Sequence, residues 1–157
     1  MTRARLAAAA LLVVAVLSGL VSGAWPGAAV AIVALCASML LAARAAPTLL
    51  LLRVGTFAAA ALGFALGWLG SPAAQSPLTL LRPWSAIALS ALHAATFRLW
   101  MRAPEGGFWA TFIVGLVALV ACGQATSGGT YPAAVVAYLL LALAAQRAHD
   151  DVRADQI

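Results

Sequence analysis

The segment TLLLLRVGTFAAAALGFALGWLG, residues 48–70, decides the fold class of this chain. It is an almost unbroken apolar run, and its length fits the roughly 20 helical residues that cross a hydrocarbon core of about 30 Å. Its one charged residue, Arg53, lies about five residues, or roughly 8 Å, from one helix end, where a guanidinium can extend to the membrane interface. We interpret Arg53 as a boundary anchor. The alternative, that it faces the bundle and binds a lipid phosphate or an acidic group, stays open.

The composition extends this interpretation to the whole chain. The 157 residues are 65% apolar and 8% charged, whereas a soluble domain carries about 25% charged residues. The net charge of +5 comes from arginines that lie singly or in pairs at the ends of apolar runs. They form no basic stripe with stacking aromatics, so we expect no nucleic-acid partner. The chain lacks Lys and Asn and is rich in Ala, which we interpret as a GC-rich bacterial coding bias.

Six apolar segments separated by Gly, Pro and Ser predict an all-α, polytopic membrane bundle of six transmembrane helices in a single domain, residues 1–157. The predicted helices cover residues 6–24, 26–43, 48–70, 77–101, 108–124 and 132–146, and a short polar tail follows at 147–157. Because the connections are short, we expect consecutive helices to be antiparallel neighbours. An alternative for residues 1–24 is a cleaved signal peptide.

The arginine placement predicts that the N-terminus and the C-terminus are both cytoplasmic. With that orientation most arginines fall on the inner side and only Arg82 lies clearly outside, as expected for short loops. Tryptophans lie near both predicted interfaces, which is typical of aromatic belts. The predicted interface anchors are Arg53, Arg98, Arg102, Trp25, Trp68, Trp84, Trp100 and Trp109. We therefore expect a multi-pass protein of the bacterial inner membrane, with membrane lipid as one partner.

Small residues recur at every fourth position in two of the predicted helices. They are Gly19 and Gly23 in the first helix, and Gly55, Ala59, Gly63 and Gly67 in the third. In lipid, close backbone approach through small residues is a main source of helix association. These positions predict helix-packing faces, either within the bundle or against another chain.

His93 is the candidate cofactor-binding residue, because it lies within the fourth predicted helix. A membrane histidine can ligate the metal of a haem or chlorophyll-type pigment, relay protons or bond a neighbouring helix. The other histidine, His149, lies in the tail, so a site with two histidine ligands within one chain is excluded. We expect an interhelical hydrogen bond and no cofactor or metal, and we keep single axial ligation as an alternative.

Acidic residues and catalytic motifs give no support to chemistry in this chain. The four acids, Glu105, Asp150, Asp151 and Asp155, all lie outside the predicted helices. Ion-coupled transporters carry carboxylates within the membrane, so their absence there disfavours coupled transport. The chain has no zinc-protease, hydrolase or nucleotide-binding motif. We therefore do not expect an enzyme.

The expected function is that of a non-catalytic subunit or scaffold of a larger membrane assembly. Because the loops are short, other membrane subunits should bind through helix faces. One alternative is a small transporter or channel subunit, which needs a polar cavity around His93, Thr96 and Arg53. A second alternative is a pigment- or haem-associated subunit with His93 as axial ligand.

The layout of residues 48–70 and 91–146 resembles the N-terminal helical membrane region of bacterial transglutaminase-like membrane proteins. The matching features are the long third helix, the basic inner loop at Arg98–Arg102 and the outer turn at Gln124–Gly129 with its small hydroxyl residues. In that family a further helix and an external Cys-His-Asp domain follow, and those catalytic residues have no counterpart in these 157 residues. The resemblance implies the membrane part of such a protein, acting as a scaffold or anchor.

Overall fold

A computed structural model describes residues 3–40, 48–70, 81–101, 106–123 and 129–154. Within these ranges the chain forms six α-helices and no strand. The helices are α1 (Arg3–Ser22), α2 (Trp25–Leu40), α3 (Leu49–Gly70), α4 (Leu81–Trp100), α5 (Gly106–Gly123) and α6 (Thr130–Ala154). The all-α class predicted from the sequence is therefore confirmed.

The last helix differs most from its predicted bounds. It begins at Thr130 and continues past Gln146 to Ala154, so most of the expected polar tail is helical. Ala, Arg and Gln are good helix formers, which explains why the helix continues after the apolar pattern has ended. The predicted start of the fourth helix, near residue 77, lies outside the described residues.

Two helices, α1 and α4, form the centre of the bundle. Helix α1 contacts α2, α4, α5 and α6, and α4 contacts α1, α2, α3 and α5. Side chains such as Leu11, Val14, Leu89 and Leu92 are completely buried between them and their neighbours. Helix α3 packs mainly on α4, and α6 packs mainly on α1. Sequence neighbours are therefore not always the principal packing partners, because α2–α3 and α5–α6 contacts are sparse.

Gly23 ends α1 and does not extend its packing face. Its φ of 67° lies in the left-handed region, and its N–H donates to the carbonyl oxygen of Gly19 at 3.1 Å. This is a glycine C-cap, which a residue with a side chain would adopt only with strain. The expectation that Gly19 and Gly23 share a helix face is wrong for this reason. Gly19 does lie in α1, where a Cβ would fall 2.8 Å from the Trp25 ring.

Contacts between helices fix their relative directions. Gly67 faces Ala86 and Gly55 faces Phe97, so α3 and α4 are antiparallel. Residues late in α1 and early in α6 line a common groove, so α1 and α6 are also antiparallel. Val21, late in α1, and Trp84, early in α4, line one small void, so α1 and α4 are antiparallel as well. Six arginines therefore lie at one end of the bundle by their helix positions: Arg3, Arg5, Arg53, Arg98, Arg147 and Arg153. Arg82 is the second residue of α4, at the opposite end, and Arg44 and Arg102 lie outside the described residues.

In the described part of the chain, three helices are long and apolar enough to cross a membrane. The spans are Ala4–Val21, Leu49–Gly70 and Thr130–Ala148. Helix α2 and the segment Trp109–Gly123 are apolar but shorter. Helix α4 carries buried polar side chains, including His93 and Thr96. Since its neighbours shield these groups, a central helix needs less apolar character than a peripheral one.

Candidate functional site at the helix α3–α4 interface

Glycines bring the backbones of α3 and α4 into direct contact. A Cβ at Gly67 would lie 2.7 Å from the Cα of Ala86 and 2.8 Å from the carbonyl oxygen of Ser85. A Cβ at Gly63 would collide with the carbonyl group of Leu89. These obstacles are backbone atoms, so no rotamer change could remove them. The Ser85 hydroxyl donates to the carbonyl oxygen of Gly67 at 3.3 Å, which adds a hydrogen bond across the same contact.

The other two small residues of the α3 stripe have different surroundings. Gly55 lies against the ring of Phe97, a side chain that can rotate away. Ala59 is partly buried. The side of α3 that faces α4 thus has a rigid part at Gly63 and Gly67 and a more adaptable part at Gly55.

His93 lies opposite Gly63 and is only 6% exposed. Its Nδ1 is 2.8 Å from the carbonyl oxygen of Leu89, one turn earlier in the same helix. A carbonyl can only accept, so Nδ1 carries the proton and donates, and Nε2 of the neutral ring has a free lone pair. Nε2 is buried and has no hydrogen-bond partner among the described residues. The bond from Nδ1 therefore stays within α4, instead of joining two helices as expected.

The space for the imidazole exists because position 63 has no side chain. A Cβ at Gly63 would lie 2.9 Å from Nδ1 of His93. Thr96, one turn further along α4, donates its hydroxyl to the carbonyl oxygen of Leu92 at 2.8 Å. Since Nε2 is enclosed, an external cofactor could reach it only if the surrounding helices separated.

The three residues named for a polar cavity are not brought together. Arg53 is exposed and lies ten residues, or about 15 Å, along α3 from the glycine that faces His93. A small void of about 10 Å³ lies beside Ser18 and Ser85, and a larger groove lies between α1 and α6. Neither is lined by His93, Thr96 or Arg53.

Besides the bond from Ser85 to Gly67, two further hydrogen bonds between helices were not anticipated from the sequence. The Tyr138 hydroxyl donates to the carbonyl oxygen of Phe112 at 2.8 Å and joins α6 to α5. The Trp100 indole N–H donates to the carbonyl oxygen of Ala34 at 3.0 Å and joins α4 to α2. Trp100 therefore uses its polar group within the bundle, although it was predicted as an interface anchor. For Tyr138 a signal existed, because a buried tyrosine hydroxyl usually finds a partner.

The other predicted anchors lie near the two ends of the bundle. Trp25, Trp68 and Trp84 are exposed at the end opposite the six arginines, and Trp109 is exposed at the arginine end. Trp68 stacks on Phe64 with ring centroids 5.9 Å apart. Arg98 is half-buried, and its Nε has no hydrogen-bond partner among the described residues.

We expect His93→Leu to raise the free energy of unfolding by about 1 kcal/mol. Leucine fills a similar volume and removes an unpaired buried acceptor, which costs about 1–3 kcal/mol when it is left unsatisfied. Thermal unfolding in detergent measures the effect, with Thr96→Val as the control that removes an already bonded hydroxyl. An unfolding temperature for His93→Leu at or below that of the unsubstituted chain would contradict this prediction.

Two further observations bear on the function of this site. Among the described residues, no group of three or more His, Cys, Asp or Glu side chains could hold a metal ion. The chain matches no protein-family model, no curated protein and no solved structure at a significant level.

Proposed function

We propose that this chain is a six-span protein of the bacterial inner membrane that acts as a non-catalytic subunit or scaffold of a larger membrane assembly. The proposal rests mainly on the exposed apolar side chains along the outer face of α3. Leu50, Phe57 and Leu69 on this helix are 72%, 79% and 81% exposed. A contiguous apolar face of this kind is unfavourable in water and marks a membrane or protein contact.

The distribution of charge supports a cytoplasmic location for both termini. The arginines at the α1 N-terminal end of the bundle include Arg5, Arg53 and Arg147, whereas among the described helices only Arg82, the second residue of α4, lies at the opposite end. Cytoplasmic ends of membrane helices carry the excess of Arg and Lys. Exposed tryptophans near both ends suit two headgroup regions.

The subunit role is supported by small residues on the outer side of α3. Ala58, Ala61 and Ala65 are exposed and, by helical periodicity, lie opposite Gly63. The spacing of Ala61 and Ala65 would let a helix of another protein approach closely. Because the glycine contacts hold α3 firmly on α4, this surface is presented on a rigid pair of helices. The resemblance to the membrane region of transglutaminase-like proteins fits the same role.

Co-purification from native membranes in mild detergent tests the subunit role. We expect a membrane protein in stoichiometric amount with the tagged chain, and at least a tenfold loss of it with Ala61→Trp. Ala29→Trp, at an exposed alanine of α2, is the matched control and should retain the partner. A chain that elutes alone or only with copies of itself would contradict the proposal.

Reporter fusions test the topology separately. A fluorescent protein fused after Ile157 should fold and fluoresce, because it requires a cytoplasmic C-terminus. Alkaline phosphatase inserted between residues 71 and 76 should be active, because it requires export. The opposite pattern at either position would overturn the proposed orientation.

A pigment- or haem-associated subunit is a second candidate, which one observation favours. Donation from Nδ1 of His93 to a backbone carbonyl leaves Nε2 with a lone pair, and metal-ligating histidines usually have this arrangement. This function predicts a visible absorption band in protein purified from native membranes and its loss in His93→Ala. A colourless preparation would exclude it.

A further inference from the structure

We propose that the groove between α1 and α6 binds one acyl chain of a phospholipid, a proposal that rests on the membrane location proposed above. The groove has a volume of about 290 Å³. It is lined by a row of aliphatic side chains between Leu12 and Leu20 of α1, and by Thr130 and Ala134 of α6. Val16 and Leu20 are exposed, so the groove is open to the surroundings of the bundle.

The groove has the length and depth of one membrane leaflet. From Leu12 to Leu20 the helix rises about 12 Å, and one leaflet of a hydrocarbon core of about 30 Å is about 15 Å thick. The candidate spans are Ala4–Val21 in α1 and Thr130–Ala148 in α6. The lining residues occupy the second half of the first span and the first half of the other, so both helices place the groove in the same leaflet.

The chemistry of the lining favours an acyl chain over water. Every lining side chain is apolar except Thr130. Thr130 begins α6, so it lies at headgroup depth if α6 spans the membrane. Water in the rest of the groove would find no polar side chain to bond, so burial of an apolar chain there is more favourable than hydration.

The size of the groove favours an acyl chain over a helix of another protein. A helix about 10 Å in diameter and 12 Å long occupies roughly 900 Å³, about three times the volume of the groove. A single flexible hydrocarbon chain is thinner and can follow the curved surface between two helices. Ala134 keeps the groove open, because a larger side chain at this position would fill it.

Photo-crosslinking in liposomes tests the proposal directly. The purified full-length chain is reconstituted in phosphatidylcholine and phosphatidylglycerol, a fraction of which carries a diazirine on one acyl chain. Adducts are then mapped by mass spectrometry. We expect at least threefold more adducts per residue on the segment from Val13 to Leu20 than on Phe57 and Leu62, which are exposed on α3.

Groove-filling variants distinguish a bound chain from lipid that merely surrounds the protein. Ala134→Trp should lower the α1 adducts to the level found on α3. Ala133→Trp, at an exposed neighbour that does not line the groove, should leave them unchanged. Val16→Phe fills the groove from the α1 side and provides the same test if Ala134→Trp fails to fold.

The possible outcomes separate this proposal from the membrane location on which it rests. Adducts on α3 without an excess on α1, or an excess that both filling variants leave intact, would overturn the acyl-chain site alone. An absence of adducts on every helix would overturn the membrane location itself. An excess that disappears in the filling variants supports the site.

Discussion

Replacing Gly63 with leucine is expected to separate α3 from α4 and to destabilise the bundle. The added Cβ would overlap the carbonyl group of Leu89 and lie 2.9 Å from Nδ1 of His93. Overpacking in a rigid interior typically costs about 1–3 kcal/mol and occasionally more. Since the obstacle here is the backbone, we expect the free energy of unfolding to fall by about 3 kcal/mol, which lowers the unfolding temperature by roughly 10 °C.

Thermal unfolding of purified variants in detergent measures this effect, and two further substitutions on α3 calibrate it. Ala58→Leu adds a similar bulk on the exposed side of the same helix and should leave the unfolding temperature nearly unchanged. Gly55→Ala should be tolerated better than Gly63→Ala, because its neighbour is the movable ring of Phe97. Equal stability of Gly63→Leu and Ala58→Leu would refute the close contact between α3 and α4.

Replacing Tyr138 with alanine is expected to release α6 from α5. Tyr138 is almost completely buried, and its hydroxyl donates to the carbonyl oxygen of Phe112. Gly115 makes room for the phenol, since a Cβ there would lie 2.6 Å from the hydroxyl oxygen. Truncation of a large buried aromatic side chain costs about 3–5 kcal/mol. Contacts between α5 and α6 are otherwise sparse, so this loss should act mainly on the docking of α6.

Tyr138→Phe separates the hydrogen bond from the packing. This substitution should lower the free energy of unfolding by about 1 kcal/mol, the usual net contribution of one hydrogen bond. Leu140→Ala, at an exposed site on the same helix, should have little effect. Hydrogen exchange measures the local result, and Tyr138→Ala should accelerate exchange in α6 more than in α3 and α4. Unchanged protection of α6 would show that Tyr138 does not hold it in place.

The number and type of secondary-structure elements could be predicted because they depend on local sequence. An apolar run bounded by Gly and Pro, such as residues 48–70, specifies a helix through propensity and hydrophobicity alone. The stripe of small residues that includes Gly63 and Gly67 could be predicted from the sequence for the same reason, since its spacing follows from the pitch of one helix. The end of the bundle at which Arg53 and Arg98 lie could also be predicted, because consecutive helices were expected to alternate in direction.

The helix partners could not be predicted, because they depend on matching surfaces far apart in the sequence. Helix α6 packs mainly on α1, and its contact with α5 depends on Tyr138 meeting Phe112 and Gly115. The role of Gly23 needed the backbone dihedral angle, since a glycine spacing looks the same in a packing face and in a helix cap. The environment of His93 was decided by the absent side chain at Gly63 on another helix. Local patterns thus determined which segments are helical, whereas steric fit between distant residues decided which helix faces meet.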